Sequence, residues 1–436
     1  MPVVATAIVG AVRRVDPLLL LIIGLAVLAR VAAAHVIPYA LLATPWEYEE
    51  VALNVLSGNG FLGTYHGVPY LGLVHPLYPL ITAAVYGVVG HSSLLAMQVA
   101  QSAAVVPAAW LTFQLGSALG GRLGGLCAAA AVTLHPALLV FSLRRHSLWF
   151  DAIFFLATLV GTYQIRADPT VRRLVVLGAL FGVGMLSRAT VGVFLGVAGL
   201  WLAWQWRVPA AEWGRRMAIV GGVALIVVAP WLIRNAVVFQ RPTGFVSTDG
   251  QNLWIGNNPA ASGGALDAAG RDIVRIDPVL MAAIEGRTEM EQQRVYRQAA
   301  VEYIRAHPAT AVVNYLRKLW IFLFWAEQTG AWYPSWFRTS YLAFYVLLLA
   351  ATTVGGRELV RAGHGGAVTL CLALFASVGL LQSVFYVEGR HRWGVEAALL
   401  IVAASGIALR LSGASELETI EKGRGAMLGV SPRGRT

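Results

Sequence analysis

The sequence predicts an all-α, polytopic membrane protein. Three observations carry that prediction. The 436 residues are 57% hydrophobic and only 13% charged, with a mean hydropathy of +0.66. A soluble domain carries about 25% charged residues, and a chain this apolar could not cover itself with polar surface in water. Second, apolar runs recur that match the roughly 20 residues a helix needs to cross the hydrocarbon core. Third, the arginines cluster between alternate runs, as cytoplasmic loops do. Length alone would suggest two or three soluble domains, but a single membrane domain accounts for most of the chain better.

The runs lie near 17–36, 97–116, 123–142, 147–165, 173–187, 189–206, 217–235, 339–354, 367–387 and 394–412. Roughly ten or more spans follow, and helix is the only form that satisfies a lipid-exposed backbone. Leu77–Gly90 is apolar but short, which suits a re-entrant or interfacial helix or an eleventh span. The first run follows Arg13 and Arg14 and resembles a signal peptide. No small-x-small cleavage site follows it, so it reads as a retained first helix.

With the N-terminus inside, the inner loops hold Arg122, Arg166, Arg172, Arg173, Arg207, Arg215, Arg216, Arg357 and Arg361. This obeys the positive-inside rule. Residues 1–412 then form the transmembrane domain, with long outer loops at about 37–96 and 236–338. Residues 413–436 read as a flexible cytoplasmic tail. The second outer loop holds a charged helical stretch, about Arg287–Ala306. It also holds an apolar stretch with Arg317 and Lys318, Val313–Trp325, expected along the interface. Trp320, Trp325, Trp332 and Trp336 suit headgroup depth.

The net charge of +11 is almost wholly arginine. In a membrane protein it reflects inner loops and anionic lipid, and nucleic acid is not an expected partner. Cys127 and Cys371 lie in apolar runs and read as small buried hydrophobes, which suggests neither a disulfide nor a zinc site. There is no Walker A, dinucleotide, HExxH or CxxC motif. No internal repeat supports an inverted-repeat transporter.

Three features could carry chemistry. Glu47, Glu49 and Glu50 crowd the start of the first outer loop. If Pro45–Leu56 is helical, Glu47 and Glu50 share a face and Glu49 points elsewhere. A carboxylate beside hydrocarbon suits a general base, whereas a solvated acidic helix start is the plainer alternative. Asp151 falls within an apolar run, where an ionisable group costs about 3 kcal/mol and so faces a cavity or a partner. Arg144, Arg145 and His146 are its nearest candidates in sequence. Finally, Arg144, Arg145, Arg390, His391 and Arg392 lie between spans on the outer side, against the usual bias. A bound phosphate explains them, as does simple snorkelling to the interface.

Several stretches resemble the GT-C superfamily of membrane glycosyltransferases, in the branch of protein O-mannosyltransferases and the lipid A aminoarabinose transferase. They are Trp46–Ala52 with Leu56–Phe61, His75–Leu80, Val228–Asn235, Asn252–Pro259 and Tyr303–Pro308. The resemblance runs from about Arg30 to Ala404. It implies transfer of a sugar from a polyprenyl-phosphate donor to a lipid, glycan or protein acceptor at the outer face of a bacterial-type plasma membrane. It matches Glu47, with Glu50 second, to the base of the first loop, and Asp151 to a second acid. Arg390 and Arg392 match the basic pair that holds the carrier phosphate. Relatives often carry aspartate where this chain has Glu47. No cofactor is expected, and no metal cluster is visible, although loop carboxylates leave room for a divalent cation. The alternatives are a flippase of lipid-linked sugars and an outer-face glycan polymerase or ligase.

Overall fold

The computed structural model describes residues 16–43, 46–324 and 335–427. Helices dominate, and each of the ten apolar runs falls largely in helix. The described residues open with α1 (Pro17–Val36), α2 (Tyr39–Ala43) and α3 (Glu47–Leu56). A two-stranded antiparallel hairpin follows, β1 (Gly63–Tyr65) and β2 (Val68–Tyr70), in the register Gly63 to Tyr70. Next come α4 (Leu77–Val89), α5 (Leu94–Ala103), α6 (Val105–Thr133), α7 (Pro136–Phe141), α8 (Leu148–Ile165), α9 (Val171–Ser187), α10 (Val191–Trp206) and α11 (Ala210–Phe239). The second long segment holds α12 (Asp249–Gly256), α13 (Pro278–Ile284), α14 (Glu289–Ala306) and α15 (Pro308–Leu323). The bundle closes with α16 (Ser335–Arg361), α17 (Gly365–Gln382), α18 (Gly389–Trp393) and α19 (Glu396–Met427).

Six described helices, or helix pairs, are long and apolar enough to cross a membrane: Pro17–Val36, Leu94–Thr133, Leu148–Ile165, Ala210–Phe239, Trp336–Arg361 and Gly365–Gln382. The other expected runs form helices that are shorter or interrupted. α9 begins beside Arg172 and Arg173, and the run 123–142 is broken where Pro136 opens α7. Inside α6 the chain turns back at Gly120 and Gly121, whose φ values are −127° and +65°. A Cβ on Gly116 would lie 2.8 Å from the Gly124 carbonyl. Eight residues span about 12 Å in a continuous helix, so the two limbs run side by side. They pack against α19, where Gly120 lies under the Ser405 backbone.

α1 starts at the end marked by the Asp16–Arg122 pair and delivers the chain to the opposite end. There the two long segments pack on each other. Leu71 and Gly72 donate their backbone N–H groups to Glu289 at 2.7 and 3.1 Å, and Tyr70 donates its hydroxyl to Gln292. Burial pushes the Glu289 carboxyl up. A small second core of Trp254, Ile255, Ile273, Val274, Leu280, Tyr296 and Ala300 packs within this layer.

Three expectations are corrected here. Cys371 is buried, but Cys127 is exposed on the outside of the bundle, because the close helix contact in α6 is made by glycines instead. The last helix continues to Met427, through the start of the segment read as a tail; Ala, Leu, Glu and Lys in that stretch are good helix formers. Lys318, expected along the interface, is instead fully buried. Trp325, Trp332, Arg13, Arg14 and the final nine residues lie outside the described residues.

Candidate active site

A cavity of about 830 Å³ opens where the two long segments meet the ends of the bundle helices. Its wall is assembled from the start of α3, the loop before α4, the start of α8, the α9–α10 turn, residues 241–252 and the link from α17 to α18.

The three clustered acids have three different fates. Glu49 is buried, accepts from the Tyr86 hydroxyl at 2.8 Å and pairs with Arg145. Glu50 accepts from the Thr64 amide and hydroxyl at 2.9 and 2.7 Å, which ties α3 to β1. Glu47 lines the cavity and makes no hydrogen bond or ion pair with the described residues. Spacing places Glu47 and Glu50 three apart, yet only Glu47 reaches the cavity. Its neighbours are Trp46 and Tyr48. The Trp46 ring meets His146 edge-on at 4.7 Å, and the guanidiniums of Arg144 and Arg390 lie 5.4 and 5.2 Å from its centroid.

Asp151 also lines the cavity, but its ionic partner is Arg188 and not Arg144, Arg145 or His146. Oδ1 accepts from the Ser187 hydroxyl at 2.6 Å. Oδ2 accepts from the Ser147 hydroxyl at 3.0 Å and from Arg188 Nη1 at 3.3 Å. Arg144 is instead buried against Trp46 and Phe141, and Arg145 is taken by Glu49. Arg188 was not anticipated. It sits in the short turn between α9 and α10, with its side chain 17% exposed into the cavity.

Of the five basic residues expected to bind phosphate, Arg390 and His391 line the cavity. Arg390 pairs with Glu388 at 2.9 Å. Arg392 points into the bundle. It donates to Glu396 at 2.6 Å, to the Phe322 and Phe324 carbonyls and to the Tyr341 hydroxyl, and it lies 3.7 Å from the Tyr345 ring centroid. Glu396 in turn meets His135 at 2.7 Å, and all four ionic or polar groups of that network are buried. Arg392, Arg144 and Arg145 therefore hold the frame around the cavity rather than its lining.

Three histidines line the cavity as neutral rings. His75 is pushed down to about 3 by burial and by Arg188. His146 and His391 are held well below their ordinary value by burial and by nearby arginines, Arg390 and Arg188 among them. A backbone N–H can only donate, so the ring nitrogen facing it carries no proton. Ala189 N donates to His75 Nε2 at 3.0 Å, Leu148 N to His146 Nδ1 at 3.0 Å, and Glu388 N to His391 Nδ1 at 3.1 Å. The protons therefore sit on His75 Nδ1, His146 Nε2 and His391 Nε2.

Residues 73–233 match the family described as dolichyl-phosphate-mannose-protein mannosyltransferase. No curated protein matches the sequence. Among solved structures, the oligosaccharyltransferase of Archaeoglobus fulgidus in its apo form matches at 10% identity and a TM-score of 0.53, over 96% of this chain and 52% of that one. The same oligosaccharyltransferase tethered to an acceptor peptide containing the NVT sequon matches at 12% identity and a TM-score of 0.52, over 94% and 51%. ArnT from Cupriavidus metallidurans bound to undecaprenyl phosphate matches at 14% identity and a TM-score of 0.41, over 91% and 79%. The chain spans about half the length of the oligosaccharyltransferase it matches. The chain thus has the fold of that oligosaccharyltransferase, and its residues 73–233 match the dolichyl-phosphate-mannose-protein mannosyltransferase family.

Proposed function

We propose that the chain is a glycosyltransferase that takes a sugar from a polyprenyl-phosphate carrier and gives it to a lipid, glycan or protein acceptor. The observation that carries this reading is the meeting of one unpaired carboxylate, Glu47, with the cations Arg188 and Arg390 in a single cavity. The description of the matched family supports a lipid-phosphate sugar as donor.

In this reading Glu47 takes the proton of the acceptor hydroxyl or amine as it attacks the anomeric carbon. The bond from that carbon to the phosphate oxygen breaks, and the carrier leaves as polyprenyl phosphate. Its charge is met by Arg390 and Arg188, fixed in advance by Glu388 and Asp151. The N–H groups of His391 and His75 add uncharged donors. Direct displacement inverts the anomeric centre. The protein is a multi-pass protein of roughly ten or more spans in a bacterial-type inner membrane, with the cavity facing outside and the two long segments recognising the acceptor.

The test is turnover of purified protein with a panel of polyprenyl-phosphate sugars and membrane extracts as acceptor. The product should carry the anomeric configuration opposite to the donor. Reconstituted protein that moves a lipid-linked sugar across the bilayer without consuming it would overturn the reading in favour of a flippase.

A further inference from the structure

The stretch Asn252–Pro259 is not explained by the cavity, since only its first residue lines it. Its role emerges at Lys318. Helix α15 wears its polarity inside out. Val312, Val313, Leu316 and Trp320 are more than half exposed, while Asn314 and Lys318 face inward, and Lys318 is 0% exposed. A buried ammonium needs compensation. Among the described residues no carboxylate pairs with it. Instead Nζ lies 2.8 Å from the Phe385 carbonyl, 3.0 Å from that of Gly256, 3.3 Å from that of Val384 and 3.4 Å from Asn257 Oδ1. These are the oxygens at the end of α12 and just past the end of α17, where helices leave carbonyls unpaired and carry partial negative charge. Four neutral oxygens around one positive charge are what a bound monovalent cation would have.

The rest of the motif is cut to this junction. A Cβ on Gly256 would fall 1.6 Å from the Phe385 carbonyl oxygen, so only glycine lets the two backbones approach. Asn257 Nδ2 donates to Leu253 O and Val384 O, both at 2.9 Å. Asn258 closes the end of α12 through the Trp254 and Ile255 carbonyls. What the junction joins is the cavity wall. Gln251 and Asn252 line it from one side and Gln382, Phe385 and Tyr386 from the other, with Arg390 and His391 following on.

We propose that Lys318 is a positioning residue, a tethered ammonium in a cation cage that locks α12 to the α17–α18 link and so sets Arg390 and His391 for the donor phosphate. Burial lowers its amine to about 8, so at pH 7 it keeps its proton. The inference rests on the donor-binding role proposed above. Its physical half, the lock, is tested separately.

The experiment compares wild type with Lys318→Met, Lys318→Ala and Asn257→Ala, by transfer kinetics and by amide hydrogen exchange. Without the ammonium, the donor KM should rise roughly tenfold or more, on the scale of one charge-assisted hydrogen bond, with the acceptor KM unchanged. Methylammonium should partly restore the donor KM of Lys318→Ala, which leaves room for it, but not that of Lys318→Met. Exchange should quicken over 253–258 and 383–391 in every variant, least in Asn257→Ala, which also stands in if a Lys318 variant does not fold. Unchanged exchange in those two segments would overturn the proposal. So would exchange quickened evenly along the chain, or donor and acceptor KM rising together without rescue. A wild type that transfers nothing would count against the proposed function, while the exchange result would still decide the lock.

Discussion

Replacing Asp151 by asparagine keeps the shape of the side chain and removes the charge that faces Arg188. Three hydrogen bonds converge on the carboxylate, from Ser187, Ser147 and Arg188 at 2.6, 3.0 and 3.3 Å. An amide retains one acceptor oxygen and turns a donor toward at least one of them. Removing one partner of a buried ion pair typically costs 3–5 kcal/mol. Arg188 is 17% exposed to the cavity, and its bond is the longest of the three, so the loss should fall at or below the lower end, about 2–3 kcal/mol. The assay is a double-mutant cycle, Asp151→Asn with Arg188→Met, read by unfolding in detergent. A coupling of about 1.5–3 kcal/mol is expected, the range for hydrogen bonds to charged groups. In transfer assays both single variants should weaken donor binding, because both misplace the same guanidinium. A coupling under about 0.5 kcal/mol, within the error of additivity, would refute the pairing. Asp151→Asn abolishing turnover at full donor affinity would instead make Asp151 a base in its own right.

Other consequences can be checked directly. His75, His146 and His391 should show no titration midpoint between about pH 5 and 8 when ring C2–H exchange is followed site by site; a midpoint near the ordinary value of about 6.5 would contradict the neutral rings. Their sign follows from linkage. The unfolded chain binds protons below about 6.5 that the folded chain does not, so acid should destabilise the fold. His75, lowered to about 3, should alone contribute about 2 kcal/mol of that loss by pH 5. Gly120→Ala should lower stability by about 1–3 kcal/mol, because a Cβ there would lie 2.3 Å from the Ser405 carbonyl oxygen, and equal melting of variant and wild type would refute that packing. Glu49→Gln should loosen the contact of α3 with the α7–α8 link through loss of the Arg145 pair without changing the donor KM, since neither residue lines the cavity; a raised donor KM would show that it reaches the site.

The helices were legible because an apolar run of membrane length has one solution, and every run falls largely in helix, although some are shorter or interrupted. That Glu47, Asp151, Arg390 and His391 would face a cavity was legible because ionisable residues at the boundary of apolar runs need a partner or a ligand. What spacing could not do was share out the roles of the acid cluster. The partners of Glu49 and Glu50 are Arg145, Tyr86 and Thr64, 14 to 96 positions away. Arg188 was available to the same reasoning as Arg144 and Arg145. It is an arginine between two spans on the side expected to face out, but it stands alone and so gives a weaker signal than a cluster. His75 opens the proline-rich stretch His75–Leu80 of the family resemblance, but nothing in its spacing marks the ring itself as a cavity residue. Lys318 gave a misleading one. A lysine on an amphipathic helix normally faces water, and only the carbonyls of two other segments reveal why this one is buried.

The most direct test of the account is sugar transfer by Glu47→Gln beside wild type, with each shown to be folded and to bind the polyprenyl-phosphate donor. If Glu47 takes the acceptor proton, kcat should fall by roughly 10²–10⁴, the range for a general base, while the donor KM stays near that of wild type. Transfer by Glu47→Gln at the wild-type rate would contradict the account, because the one unpaired carboxylate of the first segment that lines the cavity would then have no part in the reaction.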